Sequence, residues 1–137
     1  MPDSSALSMT GARVEAVAGK ALLANSVLHL FKDSLTPTPT TTLAQFAAAE
    51  CDFDGYVALT IATWSDPVLS GAAYVIYAPT QTFPWTFATG VGNQVGGAYL
   101  VTAAGDQYQY TVFSPSRPCM GPDQAVITTP ADLFPAG

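Results

Sequence analysis

Residues 56–64, which read YVALTIATW, decide the fold class of this 137-residue chain. The stretch is rich in β-branched and aromatic residues, which favour a strand, and it is apolar enough for both faces to be buried. Working outward from it, similar patterns predict further short strands at 27–31, 72–78, 97–102, 107–113 and 125–128. Many short strands with few helices are typical of β-sandwiches and barrels.

Helices are predicted only near the N-terminus. Residues 13–24 have an apolar stripe at helical spacing, with Thr10 as a plausible N-cap and Asn25 as a stop; the stripe consists of Val14, Val17, Ala18, Ala21 and Leu22. Residues 43–50 follow a threonine run that can cap a second, short helix.

Together these patterns predict a mainly β, single-domain sandwich or barrel that is jelly-roll-like, with one or two short helices in its N-terminal half. The domain is expected to span residues 13–137. Residues 1–12 lack an apolar period and predict a flexible N-terminal arm.

One strand shows a clean alternation of side chains. In 107–113 the apolar face would hold Tyr108, Tyr110 and Val112, and the polar face would hold Gln107, Gln109 and Thr111. This pattern predicts that one face of the strand is wet. The next segment, 114–122, contains three prolines and is predicted to be irregular.

Charged residues are scarce: 4 Lys and Arg stand against 10 Asp and Glu, which gives a net charge of −6. Four cations argue against sequence-general binding to nucleic acid, and the acidic excess argues against anionic membranes. No apolar run is long enough for a membrane helix, and the first residues do not resemble a secretory signal.

The shortage of ions bears on assembly. A surface of hydroxyls, amides and methyl groups packs against a neighbour without desolvating charges, so we favour an oligomer or a lattice component. A monomer with a neutral, threonine-rich surface is the alternative.

Residues with catalytic chemistry are few. His29 is the only histidine and lies within a strand pattern, and the acids Glu50, Asp52 and Asp54 are expected in a solvated turn. The glycines of 90–97 lack the lysine and helix of a phosphate loop. We therefore predict no enzyme activity, no cofactor and no metal site. Cys51 and Cys119 are expected to be free thiols, with a disulfide between them as the alternative.

An aromatic cluster is the candidate interface. If 83–87 (FPWTF) is a strand, Phe83, Trp85 and Phe87 share one face. Such a face can anchor another protein or stack on a glycan, although a core strand is the plainer alternative.

The N-terminal half resembles small, uncharacterised virion-associated proteins of tailed bacteriophages. The resemblance lies in Leu30-Phe31-Lys32-Asp33, Thr36-Pro37-Thr38, Leu43-Ala44-Gln45-Phe46 and Asp52-Phe53-Asp54-Gly55-Tyr56. The resemblance implies a structural role in a virus particle and supplies no catalytic residues.

These considerations predict a capsid decoration subunit, made in the host cytoplasm and located in the virion. Its expected partners are other copies of itself and the major capsid protein or other virion proteins. A tail- or fibre-associated binding module, with a glycan as its ligand, is the alternative.

Overall fold

The computed structural model describes residues 8–85, 92–121 and 124–136. These residues form two helices and nine strands, which in chain order are α1 (Met9–Leu23), β1 (Ser26–Lys32), α2 (Leu43–Ala48), β2 (Leu59–Ile61), β3 (Val68–Ser70), β4 (Ala73–Tyr77), β5 (Gln81–Phe83), β6 (Asn93–Val101), β7 (Gln107–Cys119), β8 (Val126–Thr128) and β9 (Ala131–Pro135).

The largest sheet has four antiparallel strands in the order β2-β1-β6-β7. Its central strand β6 is buried along almost its whole length. Gly97 allows this close packing, because a Cβ there would overlap the carbonyl oxygen of Thr111 and the ring of Phe31. β7 is an edge strand of this sheet among the described residues.

A smaller antiparallel sheet has the order β3-β4-β9, and β5 pairs with β8. Helix α1 packs on β4 and β9. The helix lies close to the sheet because a Cβ at Gly19 would overlap the ring of Phe134.

The main hydrophobic core joins these layers. Its buried members include Leu28 and Leu30 from β1, Ile76 from β4 and Ala16 from α1. A second cluster lies on the opposite face of the four-stranded sheet, where Phe46 of α2 is fully buried. The prediction of a mainly β, sandwich-like fold with short helices in the N-terminal half is confirmed: 43% of the described residues are strand and 17% are helix. The alternative of a closed barrel is wrong for the described residues.

Helix α1 differs from its prediction in two ways. It begins at Met9 after the N-cap Ser8, so residues 9–12 of the predicted arm are helical and Ala12 is buried; residues 1–7 lie outside the described residues. Moreover, the face that packs on the sheet is not the predicted stripe but the small-residue face, namely Ala12, Ala16, Gly19 and Leu23. The small side chains on this face let the helix axis approach the sheet. We infer that this close packing stabilises the fold more than burial of the larger Val14 and Val17 side chains would.

The strand predictions hold better for position than for length. Only Leu59–Ile61 of the predicted strand 56–64 pairs, whereas β7 continues to Cys119 through Pro115 and Pro118, where an irregular segment is predicted. Proline lacks a donor, but an edge strand can point that position away from its partner.

Candidate protein-binding surfaces

One face of the three-stranded sheet points away from both hydrophobic clusters and carries no charge. Directly paired residues of an antiparallel sheet share a face. Val68, Val75 and Leu133 therefore form one row across the three strands. We call this face the outer sheet face; its residues are Val68, Ser70, Ala73, Val75, Tyr77, Ala131, Leu133 and Pro135.

The large side chains of the outer sheet face are exposed. Val68 is 50% exposed, Leu133 is 58% exposed and Tyr77 is 41% exposed. Val75, between Val68 and Leu133 in the central strand, is buried by its neighbours. A contiguous apolar surface of this kind typically marks an interaction site, whereas single exposed apolar residues do not.

The alternation of strand residues explains this arrangement. The residues between those of the outer sheet face point inward, where Tyr74 and Phe134 pack on the core and Phe134 meets Gly19 of α1. Both faces of the sheet are thus apolar, as expected for strands buried on two sides. Among the described residues, α1 and the main core pack on the inward face. On the outer sheet face, Val75 is buried, whereas Val68 and Leu133 are exposed.

Helix α1 has a second surface of the same character. Val14, Val17 and Ala21 lie on the side of the helix opposite to the small-residue face, and Val14 is 64% exposed. We call these three residues the outer helix stripe. A helix that is apolar on both sides is usually buried on both sides.

A shallow apolar groove adjoins the outer helix stripe. A cavity of about 270 Å³ lies between α1 and Trp64, and a neighbouring cavity of about 360 Å³ continues from Trp64 to Tyr77. Lys20 borders the first cavity and forms an ion pair with Asp66 at 2.6 Å. That contact holds the pKa of the Asp66 carboxyl below its usual range.

The outer sheet face and the outer helix stripe share no residue, because the sheet and the helix pack on each other through their remaining faces. The second cavity connects them, since it reaches from Trp64 to Tyr77. Neither surface contains an ion, so a protein partner would bury them without desolvating charge.

Two of the three acids expected in a solvated turn, Glu50 and Asp52, are tied into side-chain hydrogen bonds. Glu50 accepts from the hydroxyl of Tyr56 at 2.6 Å, and its carboxylate lies 2.6 Å from Nδ1 of His29. The Tyr56 hydroxyl also accepts from the backbone N–H of Leu30. Burial and the Glu50 carboxylate raise the pKa of Tyr56 above its usual range, so it remains a donor. The cluster fastens segment 50–56 to β1.

Asp52 has a different set of partners. It accepts from the side-chain amide of Asn93 at 2.9 Å and lies 3.3 Å from Nζ of Lys32. The amide contact, followed by the lysine, lowers the pKa of its carboxyl. Glu50 and Asp52 therefore stand on one segment but serve separate contacts. Within the described ranges, no three His, Cys, Asp or Glu residues are placed to hold a metal ion.

Two of the three residues of the predicted aromatic interface are buried rather than exposed. Phe83 is 1% exposed and Trp85 is 9% exposed, and both belong to the main core. Phe83 stacks on Tyr56, with 5.9 Å between the ring centroids. Phe87 lies outside the described residues. The core-strand alternative thus describes Phe83 and Trp85 better than an exposed platform does.

Cys51 and Cys119 are buried free thiols, as predicted. Burial raises the pKa of Cys51 to about 12, so its reactive thiolate is scarce at neutral pH.

The sequence patterns predict β4 but neither β3 nor β9, so they do not bring the residues of the outer sheet face together. The signal in the sequence that could have predicted β9 is its alternation of side chains. Ala131, Leu133 and Pro135 face outward, whereas Asp132 and Phe134 face inward.

No described helix is both long enough and apolar enough to cross a bilayer. Comparison of the chain with protein-family models, with curated proteins and with solved structures gives no significant match.

Proposed function

We propose that the protein is a structural component of a bacteriophage particle, namely a small decoration subunit that binds the capsid as an oligomer. The observation that carries the proposal is the uncharged outer sheet face, on which Val68, Tyr77 and Leu133 are exposed together. The resemblance of residues 28–59 to virion-associated phage proteins supplies the link to a particle.

The outer sheet face suits contact with a second copy of this chain. The chain carries a net charge of −6, so two copies repel each other. The repulsion is weakest when they meet through a face that contains no acids. Two twisted sheets can also pack face to face, about 10 Å apart, with interdigitating side chains. The stable interface would have to extend beyond this face, because specific interfaces bury about 1,600 Å² in total.

The outer helix stripe is then left for a different neighbour. A lattice component needs one contact with its own kind and another with the shell, and the two apolar surfaces share no residue. We assign the outer helix stripe to the major capsid protein or another virion protein. Many weak contacts repeated over a lattice give a large total affinity.

A substitution at Leu133 tests the contact between copies. Leu133→Glu places a charge within the proposed interface and is expected to lower the sedimentation coefficient of the purified protein to that of a monomer. Val57→Glu is the matched control, because Val57 is 68% exposed and lies outside both surfaces. A wild-type protein that sediments as a monomer at every accessible concentration contradicts the proposal.

Imaging of an intact particle that carries this chain tests the finer assignment. Density for the chain on the outside of the head, with α1 against the shell, is expected. Density confined to the tail would instead favour the tail- or fibre-associated alternative.

A further inference from the structure

A groove of about 530 Å³ lies beside β7 and shares no lining residue with the outer sheet face or the outer helix stripe. Its walls are the strand on one side and the loop before α2 on the other; the lining residues are Pro39, Thr41, Gln107, Tyr108, Gln109 and Tyr110. Its volume is in the range of pockets that hold small molecules.

The lining differs in chemistry from the outer sheet face. It contains two tyrosine rings with their hydroxyls, two side-chain amides and a threonine hydroxyl, and it contains no charged residue. Asp132, which is outside the lining, accepts a hydrogen bond from the hydroxyl of Tyr108. Amides beside aromatic rings suit a ligand with both hydroxyls and apolar faces, and the absence of ions disfavours a charged one.

The strand residues of the groove do not separate into the wet and dry faces that their alternation predicts. All four residues from Gln107 to Tyr110 are half-buried and line the same groove. The pairing with β6 shifts register between Leu100 and Val101, opposite this segment, which disturbs the alternation.

The aromatic ring of Tyr110 is held from behind. Its neighbour is Phe46 of α2, with 5.7 Å between the ring centroids, and Phe46 in turn stacks on Tyr99. The opposite wall is also held in place, since Thr41 Oγ1 accepts from the backbone N–H of Thr38 at 2.8 Å. A groove whose walls are already ordered loses little conformational entropy on binding.

Polar groups remain available in the groove. Among the described residues, the amide of Gln107 and the hydroxyl of Tyr110 make no hydrogen bond, and Gln109 makes only a long one of 3.4 Å to the carbonyl oxygen of Ala131. Because β7 is an edge strand, part of its backbone N–H and C=O groups also point outward.

We propose that this groove binds a neutral carbohydrate chain, with Tyr110 as the stacking platform and Gln107 and Gln109 as hydrogen-bonding partners. The proposal goes beyond the structural role above and does not depend on it, because the groove shares no residue with the outer sheet face or the outer helix stripe.

Nuclear magnetic resonance of the ¹⁵N-labelled protein tests this inference. The wild-type chain is titrated with three neutral probes, maltohexaose, cellohexaose and chitohexaose, and with hexagalacturonate as an acidic comparison. We expect at least one neutral probe to shift the backbone amides of 107–110 and the side-chain amide of Gln107 in a saturable way. We expect the acidic probe to leave them unchanged.

Three variants complete the test. Tyr110→Ala is expected to weaken binding by at least about tenfold, the equivalent of 1.4 kcal/mol. Gln107→Ala serves the same purpose if loss of the Tyr110 ring disturbs the fold. Tyr77→Ala is the matched control, since it removes a tyrosine from the outer sheet face and should leave binding unchanged.

Several results would overturn the inference: no shift with any neutral probe, equal binding of hexagalacturonate, or equal weakening by Tyr77→Ala and by the groove variants. None of these results bears on the decoration proposal, which the sedimentation of Leu133→Glu tests separately.

Discussion

The two main sheets differ in what covers the face that points away from the main core. Beyond the main core, the four-stranded sheet has its other face closed by α2, where Phe46 packs on Phe31 and Tyr99. The three-stranded sheet leaves its other face open, although Val68 and Leu133 there are as apolar as the residues that α2 covers. We propose that a second copy of the chain covers this face of the smaller sheet.

The closed face also shows how the chain uses its few polar contacts. Segment 50–56 runs along the margin of that face and is fastened through Glu50, His29 and Tyr56. No such polar fastening lies over the outer sheet face among the described residues. The contrast between the face that α2 covers and the face on which Val68 and Leu133 are exposed leads to four predictions.

The largest expected effect separates the two faces directly. Phe46→Ala removes the fully buried ring that closes the four-stranded sheet and is expected to lower the free energy of unfolding by about 3–5 kcal/mol. Leu133→Ala removes an exposed side chain and is expected to change it by less than about 0.5 kcal/mol in dilute, monomeric protein. Urea denaturation measures both values; a comparable loss for the two variants would remove the contrast.

The close approach of α1 to the sheet gives the next effect. Gly19→Val inserts a branched side chain against the ring of Phe134 and is expected to cost about 1–3 kcal/mol of stability through overpacking. Ala18→Val is the control, because position 18 is exposed on the same helix. Ala18→Val lowers helix propensity whereas Gly19→Val raises it slightly, so a larger loss of stability at position 19 must come from packing. Thermal unfolding of the two variants should differ clearly, and equal melting temperatures would place α1 elsewhere.

The contacts of Glu50 with Tyr56 and His29 are expected to contribute less to the free energy of unfolding. Glu50→Gln replaces the carboxylate that receives Tyr56 and contacts His29, and we expect a loss of about 1–2 kcal/mol. Asp54→Asn is the matched control, since Asp54 makes no side-chain hydrogen bond with another described residue. If denaturation curves of the two variants coincide, the Glu50 cluster does not hold segment 50–56.

The smallest effect concerns pH. The pKa of Asp52 is lowered from its ordinary value of 3.8 by the amide of Asn93 and by Lys32, so its contribution to stability is present above that value and is lost as the pH falls below it. Because Asp52 is largely exposed, we expect only a few tenths of a kcal/mol. Melting temperatures between pH 5 and pH 2 should fall less steeply for Asp52→Asn than for the wild type; parallel curves would show that Asp52 is uncoupled from folding.

The sequence predicts the fold class because strand-forming residues and turn residues are distributed along the whole chain. It predicts β4 almost to the residue, since 72–78 is a dense apolar run bounded by a proline. It fails for α1, where periodicity identifies an apolar stripe but not which side packs. That choice depends on Phe134, which is more than 100 positions away and fits only against Gly19.

The candidate surfaces are harder to predict for the same reason. Phe83 and Trp85 have the composition of an interface, yet tertiary packing places them in the core. Val68 and Leu133 lie 65 positions apart and come together only through their common neighbour Val75. A single sequence does not contain that pairing, because register depends on contacts between distant strands.

Carbene footprinting of the wild-type protein, at low and at high concentration, tests the central claim most directly. If copies of the chain meet through the outer sheet face, labelling of Val68, Tyr77 and Leu133 decreases as the protein assembles, while labelling of Val57 stays constant. Unchanged labelling of Val68, Tyr77 and Leu133 in a sample that has assembled would contradict the claim, as would a sample that remains monomeric at every concentration.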